Sequence, residues 1–440
     1  MAHYHIYHHK SLRGLPAYQP GWINVPMIDH PKVKIPMQVQ SLWTDMNQLR
    51  VDGVAKGIVD PQDALPGTTF NQRQLLLLKV GNGEDHKVLV VGCHHAREWI
   101  SVEIPFLLAK YLIDNYTPEP SEEDEGEVSV AEKKRIKHLV DNRQIWFVPM
   151  VNPDGHYHSM TKDRLWRANL QPHYLEAGTI VAKQYGGTNP KGEPTNPISY
   201  PKGCYFGADI NRNYPTADWG EETYGSTKVQ TSRDPREGSR QVWTGPDKAS
   251  ELETQAMVKL FEDNTFKACI SYHNYGKYLV YSDLGRDAPF LQYVGKGMEE
   301  LLTCSPYADP QFKYDYIHGN SDPRLYPVTG HLTDYFLEQS PGQPSFTNEL
   351  PPHDNHPQVK EWAFSGLPAS EIEPTFRENL GSALALINSA GFSESPDARR
   401  ISISEGTHTV QVVDNCWRVF ADWWKREGEA EDAPATEAAT

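Results

Sequence analysis

The chain has 440 residues, of which 38% are hydrophobic and 23% charged, and its formal net charge is −16. That length suits one large α/β domain with additions, or two to three smaller ones at roughly 150 residues each. The acidic balance argues against nucleic acid as a partner, because phosphate-backbone binding rests on Lys and Arg neutralising phosphates, and no apolar run approaches the ~18 residues of a membrane span.

The start, "MAHYHIYHHKSLRG", lacks the apolar core of ~7–15 residues that a secretory signal needs. Five widely spaced cysteines speak against a disulfide framework and for a reducing compartment, so a cytoplasmic location is expected, with secretion by an unrecognised route as the alternative. Residues 1–70 form an N-terminal extension in which "PMQVQSLWTDMNQLR" (36–50) is predicted as a short helix. Its His3, His5, His8 and His9 read as a tail rather than a site.

"RQLLLLKV" (73–80) and "KVLVVG" (87–92) flank "GNGEDH", the pattern of a β-hairpin. "SVEIPFLLAKYLIDNY" (101–116) reads as a helix with Ser101 as N-cap, which keeps Pro105 near the first turn. "RQIWFVPMV" (143–151) is a strand closed by the turn "NPDG" (152–155), and "SELETQAMVKLFEDN" (250–264) a helix opened by a capping box of Ser250 and Glu253. Strands follow at 267–273, 277–281 and 344–350, and helices at 289–302 and 374–392, the last ending at Gly391. This alternation predicts an α/β fold: one large domain, residues 71–391, around a mixed, mainly parallel twisted sheet with helices on both faces. Long Pro/Gly-rich segments at 171–205 and 214–248 read as loops, "SEEDEGE" (121–127) as a solvated run, and 392–440 as a C-terminal extension of two short strands, an amphipathic helix and an acidic tail.

"VLVVGCHHAREWIS" (88–101) carries the chemistry. His94 and His95 both lie within reach of Glu98, and catalytic zinc commonly takes two His and one Glu with a fourth position left for water. Adjacent residues at a strand end point to opposite faces, so only one histidine can share a metal with Glu98, and the residues alone leave the two as rivals. A second H-x-x-E, "HYLE" (173–176), falls in an irregular segment and reads as loop, whereas the first follows a buried strand, where open α/β sheets place their crevices.

"GCHHAREWIS" resembles the zinc-binding segment of the metallocarboxypeptidase family, the funnelins, and further landmarks follow in the family's order: "NPDG", "RLWR", "GADINRNY", "WTGPDKASELET", "ISYHNY", "LYPVTGHLTDY" and "FTNEL". The resemblance implies one Zn2+ per chain, held by His95, Glu98 and His273, and Glu349 as general base for a zinc-activated water. It implies Arg167 beside the developing oxyanion, Arg212 with Asn211 on the terminal carboxylate, Tyr326 closing over it, and Arg97 and Arg164 on carbonyls further along the chain. Asp209 reads as a structural loop acid. The activity implied is release of the C-terminal residue from a peptide or small amide with a free carboxylate, and no propeptide-sized segment calls for activation by cleavage.

The chain departs from the pattern in places. Asn274 stands where digestive members have Ser, and "GHLT" puts Thr333 at the floor of the side-chain pocket, with His331 replacing a glycine and Thr347 on a nearby wall. A neutral, apolar or aromatic C-terminal residue is expected, or an acidic one if His331 or Arg324 points inward. Competing readings are a zinc amidase on N-acyl amino acids or peptidoglycan-type peptides and a binding protein on an inactive scaffold; the presence of all four of His95, Glu98, His273 and Glu349 speaks against the last.

Overall fold

The computed structural model describes residues 42–390, apart from 62–66, 72, 122–127, 175–203, 225 and 230–241. The N-terminal histidines, nearly all of the acidic run, most of the 171–205 loop and the elements expected in 392–440 therefore lie outside the described residues.

In chain order the elements are α1 (Leu42–Ala55), β1 (Leu78–Val80), β2 (Lys87–Gly92), α2 (Ile100–Asn115), α3 (Val130–Asn142), β3 (Gln144–Val148) and α4 (Pro153–Thr161). Two small ribbons come next, β4 (Pro172–Tyr174) with β5 (Cys204–Phe206) and β6 (Thr223–Tyr224) with β7 (Thr227–Lys228). Then follow α5 (Leu252–Glu262), β8 (Phe266–Gly276), β9 (Tyr278–Tyr281), α6 (Pro289–Thr303), β10 (Asp315–His318), α7 (Leu332–Gln339), β11 (Ser345–His353), α8 (Val359–Trp362) and α9 (Ile372–Ser389).

Seven strands make the central sheet in the order β1-β3-β2-β8-β11-β9-β10. The pairs β3/β2, β2/β8, β8/β11 and β9/β10 are parallel, while β1/β3 and β11/β9 are antiparallel, so the sheet is mixed and mainly parallel as the alternation predicts. Val88 to Val91 of β2 are all fully buried, which a strand achieves only when both faces are covered. Helices α2, α7 and α9 pack against β8, and Phe261 of α5 meets the rings of Phe266, Tyr335 and Phe336. Leu42, Met46 and Leu49 of α1 belong to the same core, and Lys56 Nζ donates to the carbonyls of Ile113, Asp114 and Tyr116 at the end of α2. Among the described residues no helix is long and apolar enough to cross a membrane.

The structure corrects four local expectations. β1 and β2 do not form a hairpin, because β3 lies between them. The glycines of "GNGEDH" serve a close approach instead: a Cβ on Gly81 would sit 2.2 Å from the Arg143 carbonyl oxygen, so the turn wraps the end of α3. "NPDG" ends the strand but also starts α4, with Asn152 as N-cap accepting from the Gly155 N–H at 2.9 Å and Pro153 in the first turn. Ser101 is not a cap; it lies inside the first turn of α2, where its Oγ accepts from Cys93 N–H and donates to the Glu98 carbonyl. Nor is there a capping box on α5: Ser250 Oγ donates to Glu251, and Glu253 accepts from Asn169 at 2.9 Å. Cys304 is disulfide-bonded while Cys93 and Cys269 are free, so sparse cysteines do not by themselves indicate a reducing compartment here.

Candidate functional site

β2 ends at Gly92, where a Cβ would lie 2.0 Å from the Ser101 carbonyl, so strand end and helix start are pressed together and residues 93–99 must turn tightly between them. Cys93 opens that turn at a φ of 53°, and Asn152 pins it by donating to the His94 carbonyl while its own N–H reaches the Cys93 carbonyl. Two of the three candidate ligands sit on this turn.

His95 Nδ1 lies 2.7 Å from Glu98 Oε1, His273 Nδ1 lies 2.9 Å from Glu98 Oε2, and the two Nδ1 atoms are 3.1 Å apart. One donor atom from each residue falls within 4.8 Å of the others, and among the described residues this is the one such group. Both rings are tied at the far nitrogen, His95 Nε2 to Asp209 Oδ1 at 3.2 Å and His273 Nε2 to Ser271 Oγ at 3.1 Å, so both offer Nδ1 to the same point. Two imidazoles oriented from behind and one carboxylate are the donor set of a zinc centre with an open fourth position. Burial alone would raise the Glu98 carboxyl, but the His95 and His273 imidazoles hold it well below its ordinary range.

The sheet brings Glu349 to the same place. It is the register partner of His273 in the parallel pair β8/β11, so the two side chains leave neighbouring strands side by side near their carboxyl ends. Burial and the nearby Glu98 charge push the Glu349 carboxyl well up, against the opposing pull of Arg167 and Arg212. The peptide bond after Asn274 is cis.

A cleft of about 280 Å³ opens over these groups and is also lined by Arg97, Arg167, Asn211, Arg212, Tyr326 and Thr333. Ten of the eleven residues singled out in the sequence therefore share one cavity. Arg164 is the exception: its Nε donates to Ser365 Oγ at 2.9 Å and its Nη2 to the Ser365 carbonyl at 2.6 Å, which holds it outside the lining. Arg167 donates from Nε to Asp209 Oδ2 at 2.8 Å, and burial, which would lower its guanidinium, is outweighed by Asp209 so that the net shift is upward. Arg97 lies 3.9 Å over the Phe364 ring, and burial with the Arg167 charge lowers it to about 10. The Nε atoms of Arg97 and Arg212, both residues of the lining, are buried with no hydrogen-bond partner among the described residues, spare donors that an anion or carbonyl would satisfy. Tyr326, 40% exposed, stands at the rim, and Arg324 and Asp354 are the other exposed residues of the lining. A larger hollow of about 710 Å³ lies at the amino ends of β2 and β3, around Lys79, Lys87 and Trp146, far along the strands from the donor triad.

Two residues gain roles that the sequence reading did not give them, and His94 turns away as expected of the histidine that does not share a metal with Glu98. Asp209 is no plain loop acid: it is fully buried and links His95 to Arg167, and burial, which would raise its carboxyl, is overcome by Arg167, His95 and Arg212. Ser271, two residues before His273 and so on the same face of β8, fixes that ring. His94 stacks on His273 at 5.5 Å between centroids and meets Tyr214 Oη at 2.9 Å and Ser271 Oγ at 3.3 Å, so it turns away from the donor point and His95 takes it. In "HYLE", His173 is ordered on β4, 3.0 Å from Glu251 Oε1, and Glu176 lies outside the described residues.

The family model described as zinc carboxypeptidase matches residues 62–382. Carboxypeptidase B of Rattus norvegicus is 27% identical over 326 residues, covering 71% of this chain and 62% of its own length, and carboxypeptidase O of Homo sapiens is 24% identical over 334 residues, covering 73% and 71%. The chain thus spans less than two thirds of the carboxypeptidase B relative. Among solved structures, bovine thrombin-activatable fibrinolysis inhibitor, in complex with a tick carboxypeptidase inhibitor, superposes with a TM-score of 0.58 at 21% identity over 80% of this chain and 97% of that one. The carboxypeptidase A of Helicoverpa armigera gives 0.58 at 17% identity over 80% and 72%.

Proposed function

Because the chain belongs to the zinc carboxypeptidase family, we propose that it is a zinc-dependent exopeptidase that hydrolyses the C-terminal bond of peptides. The observation that supports this most directly is the convergence of His95 Nδ1, Glu98 and His273 Nδ1 beside Glu349 in a cleft lined by four arginines. His95, Glu98 and His273 would hold one zinc ion, which supplies Lewis acidity when bound. Glu349, outside that donor set, takes a proton from the attacking water and returns it to the leaving amine. Arg167, fixed by Asp209, faces the oxygen that gains negative charge. Arg212, with its unpaired Nε–H and the amide of Asn211, receives the terminal carboxylate, since a planar guanidinium binds carboxylate by paired charge-assisted hydrogen bonds. Tyr326 covers the cleft mouth, Arg97 contacts a carbonyl further up the chain, and Arg164, tied to Ser365, supports the rim.

Within this reading the enzyme prefers a neutral C-terminal residue, apolar and aromatic ones included. Arg324 is held by Asp322 and Asp315 at 2.8 Å each, so its charge is already matched. The test is a set of blocked peptides ending in Phe, Leu, Lys, Glu or Ala, incubated with and without a zinc chelator. One C-terminal amino acid should be released, and release should vanish with chelator and in Glu349→Gln. Internal cleavage, or equal activity on amidated C-termini, would sink the exopeptidase reading.

A further inference from the structure

A hollow of about 230 Å³, lined by Tyr111, Leu301, Pro306, Tyr307, Leu380 and Leu384, lies on the side of the sheet away from the donor triad. β11 shows the division, because side chains alternate along a strand: Thr347 and Glu349 line the cleft, while Asn348 between them donates to Asn379 Oδ1 of α9 at 2.8 Å. α6 packs on α9, so both helices cover that rear face. Cys304, just past the end of α6, is disulfide-bonded, and Tyr307, three positions on, is 54% exposed. The chain has five cysteines, of which Cys93 and Cys269 are free, so the partner within the chain is Cys204 or Cys416. Cys204 is on β5, and the chain runs from there into Asp209, which holds His95 and Arg167 on the cleft side. A disulfide needs Cα atoms roughly 4–7 Å apart, closer than groups on opposite sides of a packed layer can come. Cys416 is left, in residues 391–440, which lie outside the described residues.

The sequence around Cys416 points the same way. In "VVDNCWRVFADWWK" (412–425), Val412, Val413, Val419, Phe420, Trp423 and Trp424 stand at −4, −3, +3, +4, +7 and +8 from the cysteine, one apolar face at helical period. Asp414, Arg418, Asp422 and Lys425 fall opposite it. A sulfur central to such a stripe, once fixed to Cys304, lays the stripe on the surface beside that residue, and that surface is the rear hollow. Reach is ample, since the 27 positions from Ser389 to Cys416 span up to about 90 Å of extended chain. Tyr111, Arg135 and Arg377 at the hollow each engage a further group besides their ties to Glu132 and Glu373, as residues under a docked segment would.

We propose that residues 412–424 dock through this stripe over the rear hollow and are locked there by a disulfide between Cys304 and Cys416. The hollow is then an internal interface whose occupant is the chain's own C-terminal extension. It lies across the sheet from the donor triad, so it stands whether or not the exopeptidase reading holds.

The experiment digests the full chain, purified without reductant, under non-reducing conditions and weighs the linked peptides. Cys304 and Cys416 should appear in one linked pair, which dithiothreitol splits into two thiol peptides as it closes its own ring disulfide. Cys204→Ser should leave that pair intact. Cys304 linked to Cys204, linked across two chains or alkylated as a free thiol overturns the lock. Brief trypsin treatment of the intact protein then reads the docking at Arg418, Lys425 and Arg426. Phe420→Ser combined with Trp424→Ser should speed cleavage there roughly 10-fold, and so should Tyr307→Asp on the opposing surface, because protease samples the undocked population. Asp414→Asn, off the stripe, should leave the rate unchanged, and thermal melting confirms that the Tyr307→Asp protein is folded. Cleavage as fast in the wild type as in the stripe variant overturns the docking even where the disulfide is found.

Discussion

Asp209→Asn separates the two duties of a single buried carboxylate. Its Oδ1 accepts from His95 Nε2 and from the Asn211 N–H, and its Oδ2 accepts from Arg167 Nε. Asparagine keeps one oxygen for the first pair but sets an NH2 group against the arginine, so donor meets donor and the guanidinium loses its countercharge. Breaking a buried ion pair on one side costs about 3–5 kcal/mol of stability. On the metal side, loss of a carboxylate behind a ligating histidine lowers affinity by roughly 10–100-fold, or about 1.4–2.7 kcal/mol. The assays are zinc competition against a chelating dye and thermal unfolding with and without zinc, because a ligand that binds only the folded state stabilises it by mass action. The zinc-induced rise in melting temperature should shrink along with the affinity. Unchanged zinc affinity in a folded Asp209→Asn protein would refute the claim that the charge of this acid supports His95 as a ligand, and would leave that charge serving Arg167 alone.

Other outcomes follow from the same contacts. His95→Ala should abolish zinc binding, whereas His94→Ala, which removes a ring stacked behind His273, should lower affinity by no more than about tenfold; equal losses on zinc titration would contradict the assignment. Glu253 is raised from about 4.5 to about 8 by burial and then by Asp154, so its protonated form is the one folding favours. The stability it contributes is complete below about pH 4.5 and lost as pH rises to about 8, so Glu253→Gln should flatten the urea-denaturation profile over that window by up to about 5 kcal/mol, and an unaltered slope would count against it. Lys277→Met should destabilise by about 3–5 kcal/mol because Glu378 is left buried and unmatched, while the double variant with Glu378→Leu should recover most of that; denaturant midpoints decide.

Much of the sheet was legible because strands such as β2 and β3 are short apolar runs whose burial on both faces needs no partner to be named. The order of the sheet was not, since nothing in "GNGEDH" tells that β3, more than fifty residues on, wedges between β1 and β2. Asn152 shows a second limit: Asn, Pro, Asp and Gly favour both a tight turn and a helix start, and only the continuing chain decides. In the site, the ligands were legible through their ordered motif words. Asp209 was not, because an acid two residues before Asn211 carries no signal of what it meets 114 positions back. Ser250 and Glu253 spelled a capping box, yet the pull of Asn169 from another element took the glutamate away.

His95 and His273 stand 178 positions apart in the chain, and β8 joins β2 directly in parallel register. Parallel neighbours so distant close late, after a large entropic cost of bringing the ends together. The nascent or stretched chain therefore has half a chelator and no more. Tight metal uptake becomes a stopwatch for the central strands: in refolding from denaturant it should start only when β2 and β8 have zipped, so a metal-sensitive dye would report the arrival of the whole sheet while helical signals rise earlier.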